Sequence, residues 1–217
     1  MSSLATKAFA LSKKPTKKRA MSIVEKLSFK LGDTDELAEL YSYFKPATPS
    51  KPKSPSDWVF KAMAKNDVRI AVTRAEVSDG VIVCTDGHRL HICTTSLRNG
   101  AYDNQLNRID ENVAGVFPDW KRVVPDNRNR PGAINLREAK IIEHHTEIPG
   151  YKEGTIIGDF IDVQFGDTVI RFNNKYWTDA IAMFTGKAMV RYATDKDSIL
   201  ISEDDKKAVV MPIKVKV

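Results

Sequence analysis

The sequence predicts an α+β protein built from antiparallel sheets with a few helices, and three observations carry that expectation. Apolar residues alternate with a period of two in a series of short stretches. Several of these stretches are separated by turn pairs such as Asp79-Gly80, Asp86-Gly87 and Gly166-Asp167, where glycine tolerates the positive φ of a tight turn. No region alternates strand with helix in the way a parallel doubly wound sheet requires.

The elements follow in order. Residues 23–31 alternate loosely and read as a first strand. Asp33, Thr34 and Glu36 have the chemistry of a helix start, and Leu37, Leu40, Tyr41 and Phe44 recur at helical spacing, which predicts a helix over 34–44. Prolines at 46, 49, 52 and 55 make 45–56 an extended connector or exposed loop. Residues 58–65 read as a short helix with Val59, Ala62 and Met63 on one face. The period then changes to two, predicting an antiparallel meander of strands at 68–77, 81–85 and 89–94. The stretch 98–113 is polar and carries no clear signal, and the basic, proline-containing segment 124–131 reads as a connector. Residues 135–145 read as a short helix. Ile161, Val163 and Phe165 alternate in the next strand, and 168–172 pairs back on it. Asn173 caps a helix with Tyr176, Trp177, Ala180, Ile181 and Phe184 on its apolar face, closed by Gly186. Strands at 188–193, 198–202 and 208–215 complete the chain, with Pro212 placing the last at a sheet edge or a bulge.

Composition bounds the function. The 217 residues, 42% of them hydrophobic, suffice for one domain with a good core or two small ones. No apolar run approaches the roughly 18 residues of a membrane-spanning helix. Cys84 and Cys93 both sit in apolar stretches and read as reduced core thiols. With scattered histidines they are too few for a zinc site, so no metal or cofactor is expected. The net charge of +6 is uneven. Residues 1–22 hold Lys7, Lys13, Lys14, Lys17, Lys18 and Arg19 and no acid, so the remaining 28 basic residues balance 28 acids. A neutral body argues against gripping DNA by charge alone. The tail reads as a disordered basic arm, a phosphate-touching arm or a targeting signal. An enzyme is disfavoured: Asp86, His88, His144 and His145 are the nearest approach to a catalytic set, but no glycine-flanked serine or phosphate loop accompanies them.

Three segments say more. Thr85-Asp86-Gly87-His88-Arg89-Leu90, Phe117-Pro118-Asp119-Trp120-Lys121-Arg122-Val123 and Val209-Val210-Met211-Pro212-Ile213 occur in this order, the last close to the C-terminus. Together they resemble the bacterial DNA polymerase sliding clamp, the beta subunit of the replicative polymerase. The run from Ala62 to Arg69 resembles the helix-to-strand passage that opens the clamp's middle domain, and 169–215 looks like the second half of its last domain. The resemblance covers residues 57–97, 115–125 and 155–215. The chain departs from the family in being too short for three domains, in its proline-rich insertion, and in the short polar stretch between Leu90 and Phe117 where the family has a further strand–helix–strand section.

The resemblance implies a DNA-clamp-like fold in which a few helices face the DNA. It also implies that the basic tail at 1–22 is followed by clamp-like domains at 23–125 and 126–217. The function it implies is that of a non-catalytic processivity factor that encircles duplex DNA without sequence preference. Such a ring, with a trimer as the first expectation for a compact phage-type subunit, would be opened by a clamp loader in a bacterial or phage-infected cytoplasm. Polymerases and other partners would insert short peptides into one apolar pocket. By motif match its wall is Val72, Leu90, Val123, Val209, Val210 and Met211 with Tyr176. Thr85, Gly87, His88 and Arg89 come from the hairpin, Pro118 and Arg122 from the connector, and Asn173, Pro212 and Ile213 from the rim. Expected DNA contacts are Lys61, Lys65, Arg137, Lys140 and Lys175 on helices, with Lys13, Lys14, Lys17, Lys18 and Arg19 in the tail. A rival within the same fold is a non-ring protein that binds DNA, or captures clamp-binding peptides as a decoy or transcription cofactor.

Overall fold

The first helix starts where capping chemistry places it. In the computed structural model, which describes residues 52–126, 130–149 and 155–214, α1 (Pro55–Phe60) begins at Ser54, whose hydroxyl accepts from the Asp57 amide at 3.1 Å. Pro55 follows, at a position where a missing N–H costs nothing. The helix therefore starts before residue 58 and closes at Phe60, with looser turns reaching Met63. Of the expected face, Val59 and Ala62 are buried and Met63 is partly buried; Trp58 is buried as well. The tail 1–22, the strand 23–31, the helix 34–44 and most of the proline-rich stretch lie outside the described residues.

The strand expected at 68–77 is confined to its end. Asp67 accepts from the Arg69 amide at 2.8 Å and from its guanidinium at 2.9 and 2.7 Å, which folds the chain into a turn. Ile70–Thr73 then forms a 3-10 turn and leaves Val68 98% exposed. The strand β1 (Ala75–Ser78) follows, and β2 (Val81–Thr85) and β3 (Arg89–Thr94) complete the meander at the predicted bounds. Asp79 and Gly80 both take positive φ, 54° and 76°, in the tight turn between β1 and β2. The polar stretch holds two short strands, β4 (Gly100–Tyr102) and β5 (Arg108–Ile109), and a one-turn helix, α2 (Glu111–Ala114).

The helix expected at 135–145 is absent. Strand β6 (Gly132–Asn135) leads into one 3-10 turn, Leu136–Glu138, closed by reciprocal capping between Asn135 and Glu138. The β-branched pair Ile141-Ile142 then continues as β7 (Lys140–Pro149), which pairs with β8 (Thr155–Phe165). β9 (Thr168–Asn173) pairs back on β8. Asn173 caps α3 (Asn174–Ile181) through its side chain, which accepts from the Tyr176 amide at 3.2 Å. The helix ends at Ile181, short of Gly186. Strands β10 (Met189–Tyr192), β11 (Ile199–Glu203) and β12 (Lys206–Val210) follow. Pro212 lies beyond β12, and β12 runs in the middle of its sheet rather than at an edge. The strand stops before the proline, so no ladder donor is lost.

The strands form a nine-stranded antiparallel sheet, ordered β5-β4-β1-β2-β3-β12-β11-β10-β6, and a three-stranded sheet, β7-β8-β9. Its central seam joins β3 to β12, with Leu90 opposite Val209 and Arg89 opposite Val210. Residues on both sides of 125/126 thus share one sheet, and Lys51–Val217 is one compact unit.

Side-chain alternation separates two cores across this sheet. On one face Cys84, Cys93, Ala208 and Val210 pack with Trp58, Trp177, Ala180 and the small sheet's Ile161, Val163, Phe165, Ile170 and Phe172. Both cysteines are free and buried there. On the other face Val83, Leu90, Ile92, Leu200 and Val209 form a second cluster, capped by Phe117, Trp120 and Val124 of the connector. No helix among the described residues is long and apolar enough to cross a membrane.

Candidate functional site

The β2–β3 turn is built by its own side chains. The Thr85 hydroxyl donates to the Arg89 carbonyl at 2.7 Å and accepts from the Gly87 amide at 3.0 Å. One carboxylate oxygen of Asp86 accepts from the His88 and Arg89 amides at 2.9 and 3.1 Å. Gly87 sits at φ 91°, a conformation side chains resist, with the Arg69 guanidinium against it. The His88 carbonyl accepts from the Met211 amide at 2.9 Å, so the turn and the end of β12 are stitched together.

Arg89 leaves the turn for the interior. Its Nε donates to Asp86 at 3.0 Å, and a terminal nitrogen donates to Asp179 of α3 at 2.7 Å. The guanidinium lies 4.5 Å from the Tyr176 ring centroid, and the His88 ring stacks on the same tyrosine at 6.0 Å. Asp179 is 2% exposed and also receives the amines of Lys175 and, at 3.6 Å, Lys61. Burial raises the Asp179 carboxyl, but hydrogen bonds from Lys175 and Arg89 outweigh it and hold the group below its ordinary value. Burial, then the Asp86 charge, raises the Tyr176 hydroxyl.

The structure brings most of the predicted pocket residues to one neighbourhood. Leu90 and Val209 are cross-strand partners in the second cluster, on which the connector residues Phe117, Trp120 and Val124 rest. Val123 and Met211 stay 55% and 41% exposed, and Pro118 and Arg122 are exposed. Tyr176 and Asn173 stand beside the turn at the start of α3, and Thr85, Gly87, His88 and Arg89 form it. Val72 is buried in the 3-10 turn before β1, where its carbonyl accepts from the Ala64 amide at 3.0 Å. Val210 belongs to the opposite core, and Pro212 is buried. The Ile213 amide donates to the Arg171 carbonyl at 2.8 Å, which steers the chain end toward β9.

The expected DNA contacts are more dispersed. Of the described ones, Lys175 alone lies within a helix; Lys61 caps α1, and Lys65 follows it, exposed. Arg137 sits in the 3-10 turn and Lys140 opens β7, because the helix expected there is a strand. Lys13, Lys14, Lys17, Lys18 and Arg19 lie outside the described residues. Sequence reasoning missed Arg69 and Asp179. The Lys175–Asp179 spacing of a helical ion pair was the one available signal for the latter.

Two further features are present, the first of them bordering the second cluster itself. A cleft of about 430 Å3 opens at the far end of β3, over Ile92, Val81, Trp120 and Val124. On the three-stranded sheet, Glu143, His145 and Asp162 cluster. There Arg171 donates to both carboxylate oxygens of Asp162 at 2.6 Å and takes the position a cation would need. Of the residues of an imagined hydrolase, Asp86 holds backbone amides and Arg89, and His145 lies 3.0 Å from Asp162.

No family model matches the chain, and no curated protein matches it in sequence. Solved structures do resemble it. The DNA polymerase sliding clamp from Pseudomonas aeruginosa is 18% identical, with 76% of this chain and 65% of that one aligned at a TM-score of 0.50. The DNA polymerase III beta subunit from Thermotoga maritima is 18% identical over 75% of this chain and 63% of its own, also at 0.50. The Helicobacter pylori beta clamp, solved with a DNA ligase peptide, is 14% identical over 80% and 69%, at 0.51. The chain spans slightly under two thirds of the length of the first two. Its fold is that of the DNA polymerase III beta-subunit sliding clamps, made here of antiparallel sheets and few helices.

Proposed function

We propose that this chain is a sliding-clamp subunit: a non-catalytic processivity factor that closes a ring around duplex DNA and receives short partner peptides. The observation that carries the reading is the meeting of three distant segments. Leu90 faces Val209, Met211 is bonded to His88, and the connector's Phe117, Trp120 and Val124 cover the cluster between them. An extended peptide docking against Met211, Val123 and Pro118 would bury two or three large apolar side chains. At about 1.5–3 kcal/mol each, less the ordering cost, the affinity is roughly micromolar. Exchange of a polymerase for another partner requires an affinity no tighter than this.

In this reading the two clamp domains are 23–125 and 126–217, joined along the β3–β12 seam. Among the described residues, the nine-stranded sheet ends in short strands, β5 and β6. Pairing one edge with the other edge of the next copy is a head-to-tail contact that closes if the rotation permits, with three copies as the first expectation. The DNA contacts are weak and non-specific, made to phosphates by Lys65, Arg137, Lys140 and the basic tail, so binding falls with salt. A loader would be needed to open the ring.

A second reading has one observation in its favour. Lys61 and Lys175 face Asp179 rather than standing free for phosphate, as a monomeric decoy that captures clamp-binding peptides would allow. Native mass spectrometry with closed and linearised DNA circles separates the two. A closed oligomer retained on circles and lost from linear DNA supports the ring, and a strict monomer that binds peptide refutes it.

A further inference from the structure

We propose that Asp179 is the positioning residue of the peptide pocket, an inference that rests on the docking reading above. It sets the pocket's turn from beneath and touches no peptide itself. Four links carry this. Asp179 is 2% exposed, and its carboxylate reaches across ninety residues of sequence to Arg89, itself 5% exposed. Its backbone is held in turn: the Trp58 indole N–H of α1 donates to the Asp179 and Ala180 carbonyls, both at 3.0 Å. The same guanidinium that meets Asp179 meets Asp86 and lies against Tyr176. The other oxygen of Asp86 holds the amides of His88 and Arg89. Asp179 thus joins α1, α3 and the hairpin, and its influence passes through Arg89 and Asp86 to the His88–Tyr176 wall and the Met211 stitch.

The charges around Asp179 fit this role. Arg89, Lys175 and Lys61 surround it, and Asp86 is the second anion. Removing the Asp179 charge while keeping its shape leaves Arg89 with Asp86 as its one close carboxylate among the described residues. The guanidinium then gains freedom to swing toward solvent, and Asp86 follows it away from the turn amides.

The test uses the full chain carrying Asp179→Asn, with Ile201→Val as a control that removes one methylene from the helix-side core. Two quantities are read. One is amide hydrogen exchange at His88 and Arg89 in the free protein. The other is affinity for a labelled hexapeptide bearing two leucines and a phenylalanine. Charged hydrogen bonds contribute enough that Asp179→Asn is expected to speed exchange at both amides, and to weaken the peptide, each by about tenfold. Ile201→Val is expected to lower the melting temperature while leaving both readouts within about twofold. Unchanged exchange and affinity in Asp179→Asn overturn the inference, as does an equal response to Ile201→Val. A wild-type chain that binds no hexapeptide, with the exchange difference intact, sinks the docking reading. It also reduces Asp179 to a structural anchor, which overturns its role in the pocket.

Discussion

His91 gives the sharpest test of the described core. Its ring is fully buried and stacks on Trp58, with centroids 4.5 Å apart and planes 10° from parallel. Nδ1 lies 2.9 Å from the Trp58 carbonyl, which can only accept, so Nδ1 carries the proton. Nε2 is then a bare acceptor with no partner among the described residues. Burial is the main reason the ring resists protonation; the bond to Trp58 opposes it, the Arg89 charge adds to it, and the pKa falls from 6.5 to about 3. In the unfolded chain the ring titrates near 6.5, so below that pH the unfolded state binds the extra proton. Stability therefore rises with pH across the window from 3 to 6.5. Relative to pH 8, the loss amounts to about 2 kcal/mol at pH 5 and about 3 kcal/mol at pH 4. His91→Phe keeps an aromatic ring beside Trp58 and removes the titration. Urea unfolding of both proteins by tryptophan fluorescence gives the difference in stability at each pH, and carboxylate effects common to both cancel. The wild type should lose about 2 kcal/mol relative to His91→Phe between pH 8 and pH 5. A difference constant to within about 0.5 kcal/mol would refute the buried, neutral histidine and the packing of α1 on β3.

Other outcomes follow from the same geometry. Met211→Ala trims a side chain that is 41% exposed, so it should weaken a docked apolar peptide about tenfold and hardly move the melting temperature; titration by anisotropy reads the first and calorimetry the second. Arg89→Met removes the guanidinium from a buried carboxylate, Asp179. It should cost about 3 kcal/mol in urea unfolding, toward the low end for a broken buried pair because Lys175 and Lys61 remain. A cost below about 1 kcal/mol would place that pair in solvent-like surroundings. Gly132→Ala puts a methyl 2.5 Å from the Tyr192 ring, its cross-strand partner, and that ring is already against Phe165. An overpacking loss of about 1–3 kcal/mol is expected, and an unchanged urea midpoint would show that β6 does not pair with β10.

Where an element is specified by neighbours in the chain, the sequence was a good guide. The meander strands Val81–Thr85 and Arg89–Thr94 and the Asn173 cap were legible because alternation, glycine turns and capping act over a few residues. The strand expected at 68–77 failed because Asp67 captures Arg69, a side-chain bond that alternation does not register. The helix expected at 135–145 failed because a capping box can close one turn as readily as it opens a helix, and the partner that makes 140–149 a strand is the later segment 155–165. The three clamp-like segments were recognisable by their order. Which of their residues share the Leu90–Val209 face was less so: Val210 alternates onto the opposite core, and Arg89 is turned inward to Asp179.

By itself the chain determined its kinds of structure, the antiparallel habit, the turns, the caps and the two buried thiols, because these depend on conformational preferences and periodicities local to each residue. Tertiary structure alone decided that β3 lies against β12, that the connector closes over Leu90 and Val209, and that one carboxylate on α3 anchors a hairpin far away in sequence. Those choices depend on which apolar faces and unpaired strand edges remain once the local elements have formed, and on the cost of burying a charge without its partner. No short window of residues contains that information.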